Sequence, residues 1–154
     1  MAAIITIEDL LNAGKAALIA DSTLSFLGTR VTRGIGGFFN IGDPVLYQPN
    51  VVLSAMTEAP NPRGKAMIRD EHVLVTYYAY TEGWGTERGL FGDGNAKGIY
   101  EIGRLLKVFL MNNTLGGVAA QASWQGTAYP EYAQRNFETL NEVQVSILYN
   151  IRGT

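Results

Sequence analysis

NEVQVSILYNIRG, residues 141–153, decides the fold. Val143, Val145, Ile147, Tyr149 and Ile151 alternate with Glu142, Gln144, Ser146, Leu148 and Asn150. Successive side chains of a strand point to opposite faces of a sheet, so this period of two marks a strand with one face on a core. Neither Gly nor Pro interrupts the run before Gly153. The spacing therefore predicts a strand that reaches almost to the last residue and ties the C-terminus into the fold.

A second strand is legible in HVLVTYYAYT, residues 72–81. Val73, Val75, Tyr77 and Ala79 fall on one face and Leu74, Thr76, Tyr78 and Tyr80 on the other, which predicts at least partial cover on both sides. Two stretches have the helical period instead. Thr6 followed by Asp9 is a relative of the capping box, since the hydroxyl accepts from an orphan amide and the carboxylate suits the positive helix end. Ile7, Leu10, Leu11, Gly14, Ala17 and Leu18 then form a narrow apolar stripe that ends near Ala20. Its small residues permit close approach to a sheet. A later helix is predicted from Asn95, as N-cap, to about Asn113. It would bury Ile99, Ile102, Gly103, Leu106, Phe109 and Leu110 and turn Lys97, Glu101, Arg104 and Lys107 outward. Gly103 costs helix propensity on the buried side, which predicts tight contact with a strand beneath it.

Between these elements the pattern is weaker. Asp21 to Phe39 reads as a turn, a short β-like run around Thr29 to Thr32, and a loop or bulge at Gly34, Gly36 and Gly37. Pro44 to Leu53 reads as an edge strand or irregular chain, because Pro44 and Pro49 lack donors. Ser54 to Glu71 is polar, contains Pro60, Pro62 and Gly64, and has no periodicity. It reads as a loop longer than the ~12–15 residues of ordinary connections, and such loops are usually functional or disordered. Glu82 to Gly94 reads as a second, glycine-rich loop holding Trp84 and Phe91. Gly116 and Gly117 end the later helix, Val118 to Gln125 alternates toward Trp124 as a further strand, and Gly126 to Leu140 reads as a loop. The sum is one α+β domain over residues 1–154 with no internal repeat.

Composition bounds the function. A chain of 154 residues fits one domain, burying roughly 70% of the surface that its unfolded form exposes. The 47% hydrophobic and 17% charged residues are those of a globular protein. Twelve basic and fourteen acidic residues give a formal net charge of −2, which supplies no broad cationic face for nucleic-acid phosphates. Any contact with DNA is expected to be local or lumenal. The chain has no cysteine, which excludes disulfides, thiolate zinc sites and thiol nucleophiles. Residues 1–7 have no basic region before an apolar run, and no stretch approaches the ~18 apolar residues of a membrane span. Cytoplasmic synthesis and use are expected.

Catalytic constellations are sparse. There is no Gly-x-Ser-x-Gly elbow, His-Glu-x-x-His pair or phosphate-binding Walker loop. The single histidine, His72, stands beside Asp70 and Glu71 and is a conceivable base with a carboxylate neighbour. A surface histidine at a strand start is the preferred reading. GDGNAKG, residues 92–98, precedes a helix, whose N-terminal amides can cradle a phosphate, but the spacing departs from the dinucleotide pattern and no second βαβ unit follows. Glycines serving positive φ explain it better. The pairs Glu8–Asp9 and Asp70–Glu71 have no partner at metal or glycosidase spacing, so neither a metal nor a cofactor is expected. Arg63, Lys65 and Arg69 sit together in the long loop, suited to phosphate or an acidic surface but ordinarily solvated. The tyrosines and tryptophans fit core packing and interface use equally.

In the order of its elements, most of the chain resembles the tail terminator (tail completion) proteins of long-tailed bacteriophages. The capped N-terminal helix, VLVTYYAYTEG (73–83), GIYEIGRLLKVFLMNN (98–113) and the closing NEVQVSILYNIRGT (141–154), with its Tyr149-x-x-Arg152 ending, carry the resemblance. It implies a twisted, mainly antiparallel sheet flanked by two helices. It further implies a hexameric ring on the end of the tail tube, which halts tube polymerisation and offers the surface for head attachment. Such a protein is a structural component of the virion tail and neck, assembled in the host cytoplasm, and not an enzyme. Its partners are copies of itself, the tail tube protein and a head-completion or neck protein, with DNA only as cargo in the lumen and no membrane. The family has no catalytic motif to carry over. By position alone, intersubunit or tube contacts are expected at Arg63, Lys65 and Arg69 and at Trp84, Arg88 and Phe91. Two alternatives stay open: another neck or tail component, such as a head-completion or tail-tube protein, and a small ligand-binding or enzymatic α+β domain centred on His72.

Overall fold

The computed structural model describes residues 4–35, 49–60, 70–135 and 138–152. The chain builds α1 (Ile7–Ala20), a 3-10 helix (Ser22–Leu27), β1 (Val31–Arg33), β2 (Asn50–Pro60), β3 (Asp70–Glu82), α2 (Glu87–Phe91), α3 (Ile99–Leu110), β4 (Gln121–Arg135) and β5 (Glu138–Arg152). The five strands form one mixed sheet in the order β1-β2-β3-β5-β4. Only β1 and β2 are parallel, and every other neighbouring pair is antiparallel. This is the α+β architecture expected, a mainly antiparallel sheet with α1 and α3 packed on it.

β5 is the alternating segment from which the fold was read. It lies between β3 and β4, so both of its edges are hydrogen-bonded. Val143, Val145, Ile147, Tyr149 and Ile151 are fully buried beneath the helices, together with Val73, Val75, Tyr77 and Ala79 of β3. Each large apolar side chain so removed from water stabilises the fold by about 1.5–3 kcal/mol. The start of the chain docks on the end of this strand, where Ile5 N–H donates to the Arg152 carbonyl at 3.0 Å.

Both longer helices pack on the same face, α1 over β1 and β2 and α3 over β3, β4 and β5. The capping box is complete: Asp9 N–H donates to Thr6 Oγ1 at 3.0 Å, and Thr6 N–H to the Asp9 carboxylate at 2.9 Å. The Thr6 amide, and after it the Thr6 hydroxyl, hold the Asp9 carboxyl below its ordinary value. Gly14 meets the sheet directly, and a Cβ there would stand 2.9 Å from both Leu53 Cδ2 and Tyr77 Oη. The close approach expected at Gly103 is real as well, and its partner is the ring of Tyr129 on β4.

The opposite face of the sheet is polar along its middle, with Thr76 Oγ1 and Ser146 Oγ 3.0 Å apart across β3 and β5. Toward the β3 C-terminal end it carries a small second cluster of Val52, Tyr80 and Leu140, with Tyr78 against it.

Several expectations fail for identifiable reasons. Ser54 to Glu71 is not one long loop, because β2 continues to Pro60 and β3 begins at Asp70. A bulge at Met56 carries the pairing from Ala55↔Val75 to Thr57↔Leu74, which erases the period of two, and residues 55–60 are solvent-exposed, so polarity there carries no inside-outside signal. Gly126 to Leu140 is likewise not a loop but most of β4 and the beginning of β5. Two irregularities, between Trp124 and Gly126 and between Ala128 and Glu131, break the alternation of β4, while Pro130 is tolerated because β4 is an edge strand. Val51–Leu53 is not an edge, since β1 covers it; residues 44–48 lie outside the described residues, as do Gly36 and Gly37. The short run near Thr29 to Thr32 becomes β1, two residues later. Glu82 to Gly94 contains α2, capped by Thr86. The cap of α3 is Gly98 and not Asn95, and the helix ends at Leu110. Asn113 folds back instead, donating to the Phe109 carbonyl at 3.0 Å.

Candidate functional site

Strand β3 separates the two loops on which contacts were expected. Arg63, Lys65 and Arg69 lie outside the described residues, in the connection that leads into the start of β3, whereas Trp84, Arg88 and Phe91 follow its end. With 13 residues at about 3.4 Å each, the ends of β3 are about 40 Å apart. Of the six residues, Trp84, Arg88 and Phe91 are the ones that the described structure places, and they stand together just past the end of β3.

The end that carries Trp84 is held by a buried amide. Asn141, fully buried on β5, accepts from Gly85 N–H at 2.9 Å and donates to the Gly83 carbonyl at 2.9 Å and to Thr81 Oγ1 at 3.1 Å. Thr81 Oγ1 in turn donates to the Gly89 carbonyl at 2.8 Å. Thr86 adds the cap of α2, accepting from Gly89 N–H at 3.1 Å and donating to the Gly83 carbonyl at 2.8 Å. Gly83 and Gly85 adopt positive φ, which turns the chain sharply out of β3. The loop is thus built from a strand end, an amide and a cap. It presents Trp84 at 51% and Phe91 at 66% exposure, with Phe91 against the Tyr100 ring, centroids 5.4 Å apart.

Beside it lies an open cleft of about 590 Å³ lined by Phe26, Arg30, Pro49, Arg88, Asp93 and Lys97, among others. Every cation there has a partner. Arg30 donates to the Phe26 and Pro49 carbonyls at 2.6 and 2.8 Å, Arg88 meets Asp93 at 3.0 Å, and Lys97 meets Glu101 at 3.2 Å while standing over the Phe26 ring. Asp93 accepts the amides of Asn95 and Ala96, both at 2.8 Å. These two bonds, ahead of the nearby Arg88 charge, hold its carboxyl below the ordinary value. An internal carboxylate thus occupies amides that a phosphate would need, so residues 92–98 form a closed turn. The positive φ expected of its glycines is found at Gly92 but not at Gly98, which has φ −83° as the cap of α3.

His72 is not at the head of its strand but its third residue, opposite Ala59 on β2 and Asn150 on β5. Glu71 points to the other face, as successive strand residues must. Its carboxyl is raised above the ordinary value, first by a hydrogen bond with Glu58 and then by burial. His72 and Glu71 are not brought together. Among the described residues no group of three His, Asp or Glu side chains is placed to hold a metal ion, and no helix is long and apolar enough to cross a membrane.

No protein-family model matches the chain, and no curated protein matches it. Residues the sequence reading passed over are Asn141, taken only as the first residue of the closing strand, and Trp124, whose ring lies 4.0 Å from Lys107 Nζ on α3. The first has no local signal, because its partners Gly85 and Gly83 lie 56 and 58 residues away in the chain. The second has none, because it depends on how α3 crosses β4.

Proposed function

We propose that this protein is a structural component of a phage tail: a ring at the head-proximal end of the tail tube that stops tube polymerisation and presents the surface to which the head attaches. Its partners on this reading are copies of itself in a hexamer, the tail tube protein, and a head-completion or neck protein, and its place is the virion. The observation that carries the reading is the exposed aromatic loop that Asn141 anchors just past the end of β3. A ring between tube and head needs two chemically different ends along one axis. Here one end is the exposed Trp84, Arg88 and Phe91, on a loop anchored by Asn141, and the basic Arg63, Lys65 and Arg69, which precede β3 in the sequence, are assigned to the other on this reading. Exposed aromatics and arginine are the residue types enriched in the centres of protein interfaces. The net charge of −2 agrees with a lumen that lets DNA pass, since a strongly cationic channel would hold phosphates.

Native mass spectrometry of the purified protein, alone and with its tail tube protein, tests the reading. One closed ring, free or formed on the tube, is the expected result. A monomer that ignores the tube overturns it, and an open-ended stack of rings assigns the chain to the tube itself.

A further inference from the structure

The exposed apolar side chains of the two flanks differ in kind. Beside β4, the side of α3 that carries Tyr100, Arg104, Lys107 and Met111 forms a strip with Tyr129 and Trp124. The Tyr100 and Tyr129 rings stack at 5.2 Å, Lys107 covers Trp124, and Trp124 and Met111 stay 37% and 40% exposed. On the opposite flank, among the described residues, β1 pairs with β2 from Val51 to Leu53. Below it, residues 55–60 of β2 are exposed, and Met56, 48% exposed at the register shift, has its Sδ 3.6 Å from Tyr78 Oη.

These flanks stand at the same height in the sheet. Ala55 pairs with Val75, Val75 with Ile147, and Ile147 with Trp124; two rows lower, and so on the same face, Glu58 pairs with Val73, Val73 with Tyr149, and Tyr149 with Ala122. Glu58 and Trp124 also extend to the helix-covered face, as their partners Val73 and Ile147 do. In a flat ring without axial rise, groups at equal height on opposite flanks of one subunit meet across the contact between two.

Their charges are complementary. Among the described residues Arg104 and Lys107 are in no ion pair. Glu58, by contrast, has a second carboxyl, Glu71, as its hydrogen-bond neighbour, a crowding that a cation from outside would relieve. The bulges and Pro130 of β4 disfavour direct strand addition at that edge, so a contact there is made by side chains and not by a continued ladder.

We infer that the subunits of the ring join side by side, the Trp124–Lys107 strip of one copy receiving the uncovered β2 edge around Met56 and Glu58 of the next. The contact is heterologous, because the strip and the edge are different surfaces on opposite flanks, and repetition of such a contact closes a ring when its rotation closes. The inference rests on the ring reading above and names the lateral surface, which is distinct from the two ends assigned to tube and head.

Charge exchange tests it, under whichever condition gives the wild-type ring. Lys107→Glu and Glu58→Lys are each expected to shift the native mass to monomer with an unchanged circular dichroism spectrum, and the double exchange to regain the ring. Zero-length carbodiimide coupling of the wild-type ring should join Lys107 to Glu58 between subunits. Single variants that keep the ring, or a double variant that stays monomeric, overturn this contact while leaving the ring itself intact. A wild type that never forms a ring overturns the functional reading and this one with it.

Discussion

The hydroxyls of Tyr77 and Tyr149 meet at 2.6 Å in the core, on adjacent strands and close beneath Gly14 of α1. Each is the hydrogen-bond partner of the other in a site that water does not reach. Removing one hydroxyl leaves a buried polar group alone, which costs about 1–3 kcal/mol, whereas removing both can be nearly neutral. Tyr77→Phe and Tyr149→Phe are therefore each expected to lower unfolding free energy by about 1–2 kcal/mol, and the double variant by less than the sum. Urea denaturation of the four proteins measures this; additivity would show that the pair is not coupled.

The same pair sets an alkaline limit. Burial, ahead of the effect of the partner, pushes the Tyr77 phenol well above the ordinary value of 10.0, and burial likewise raises Tyr149. Above pH 10 the unfolded chain releases phenolic protons that the folded chain retains, so stability falls as pH rises. Below pH 10 these two groups contribute no slope. Thermal melts from pH 8 to 11 should show a decline that starts near pH 10 and is shallower in the double Phe variant. Equal slopes in both proteins would refute the assignment.

Much of the fold is legible in the sequence where one physical signal acts alone. β5, β3 and α1 are read correctly because burial on a single face imposes an unbroken period, from Val143 to Ile151, Val73 to Ala79 and Ile7 to Leu18. The signal disappears where backbone geometry overrides it. Met56 and Gln125 stand where the register shifts, and after each the inward residues change parity, so β2 and β4 read as loops. The cap of α3 is missed because Asp93 draws the Asn95 amide into a turn before the helix starts. Of the candidate site, the exposed aromatics Trp84 and Phe91 could be found as large apolar residues in a glycine-rich loop. Their anchor could not, since Asn141 reaches Gly83 and Gly85 from 58 and 56 residues away.

Asn141→Ala tests that anchor. The substitution deprives the Gly85 amide, the Gly83 carbonyl and Thr81 of a shared partner in a buried place, with an expected cost of about 2–3 kcal/mol. It also frees the loop at its root. Trp84 should report the release by increased fluorescence quenching with acrylamide, read in a Trp124→Phe background so that one indole remains. Unchanged quenching with lowered stability would mean that Thr86 alone holds the loop.

Gly89 and Gly103 should respond differently to the same added methyl. A Cβ at Gly89 runs into Asn141 Nδ2 and into the backbone carbonyls of Gly83 and Glu82, which cannot move without undoing the strand end. One at Gly103 meets only the outer part of the Tyr129 ring, which can swing away at the cost of its 3.3 Å bond to the Tyr100 carbonyl. Replacing Gly by Ala within a helix also returns about 1 kcal/mol of propensity. Gly103→Ala is therefore expected to cost no more than about 1 kcal/mol, and Gly89→Ala about 3 kcal/mol, near the upper range of overpacking. Equal costs in denaturation experiments would contradict this ordering.

The two ends of β3 predict a separation of function. Trp84→Ala with Phe91→Ala trims exposed rings that the anchoring network does not use, so the fold should survive. An aromatic at the centre of an interface contributes about 2 kcal/mol or more, a roughly 30-fold change in affinity. If each end serves one partner, this double variant loses binding to one of the tube and neck proteins and leaves the other unchanged. Charge reversal at Arg63, Lys65 and Arg69 does the converse. Pull-down titrations with the two partners decide it: variants at both ends that weaken the same partner, or neither, would be incompatible with a ring that faces tube on one side and head on the other.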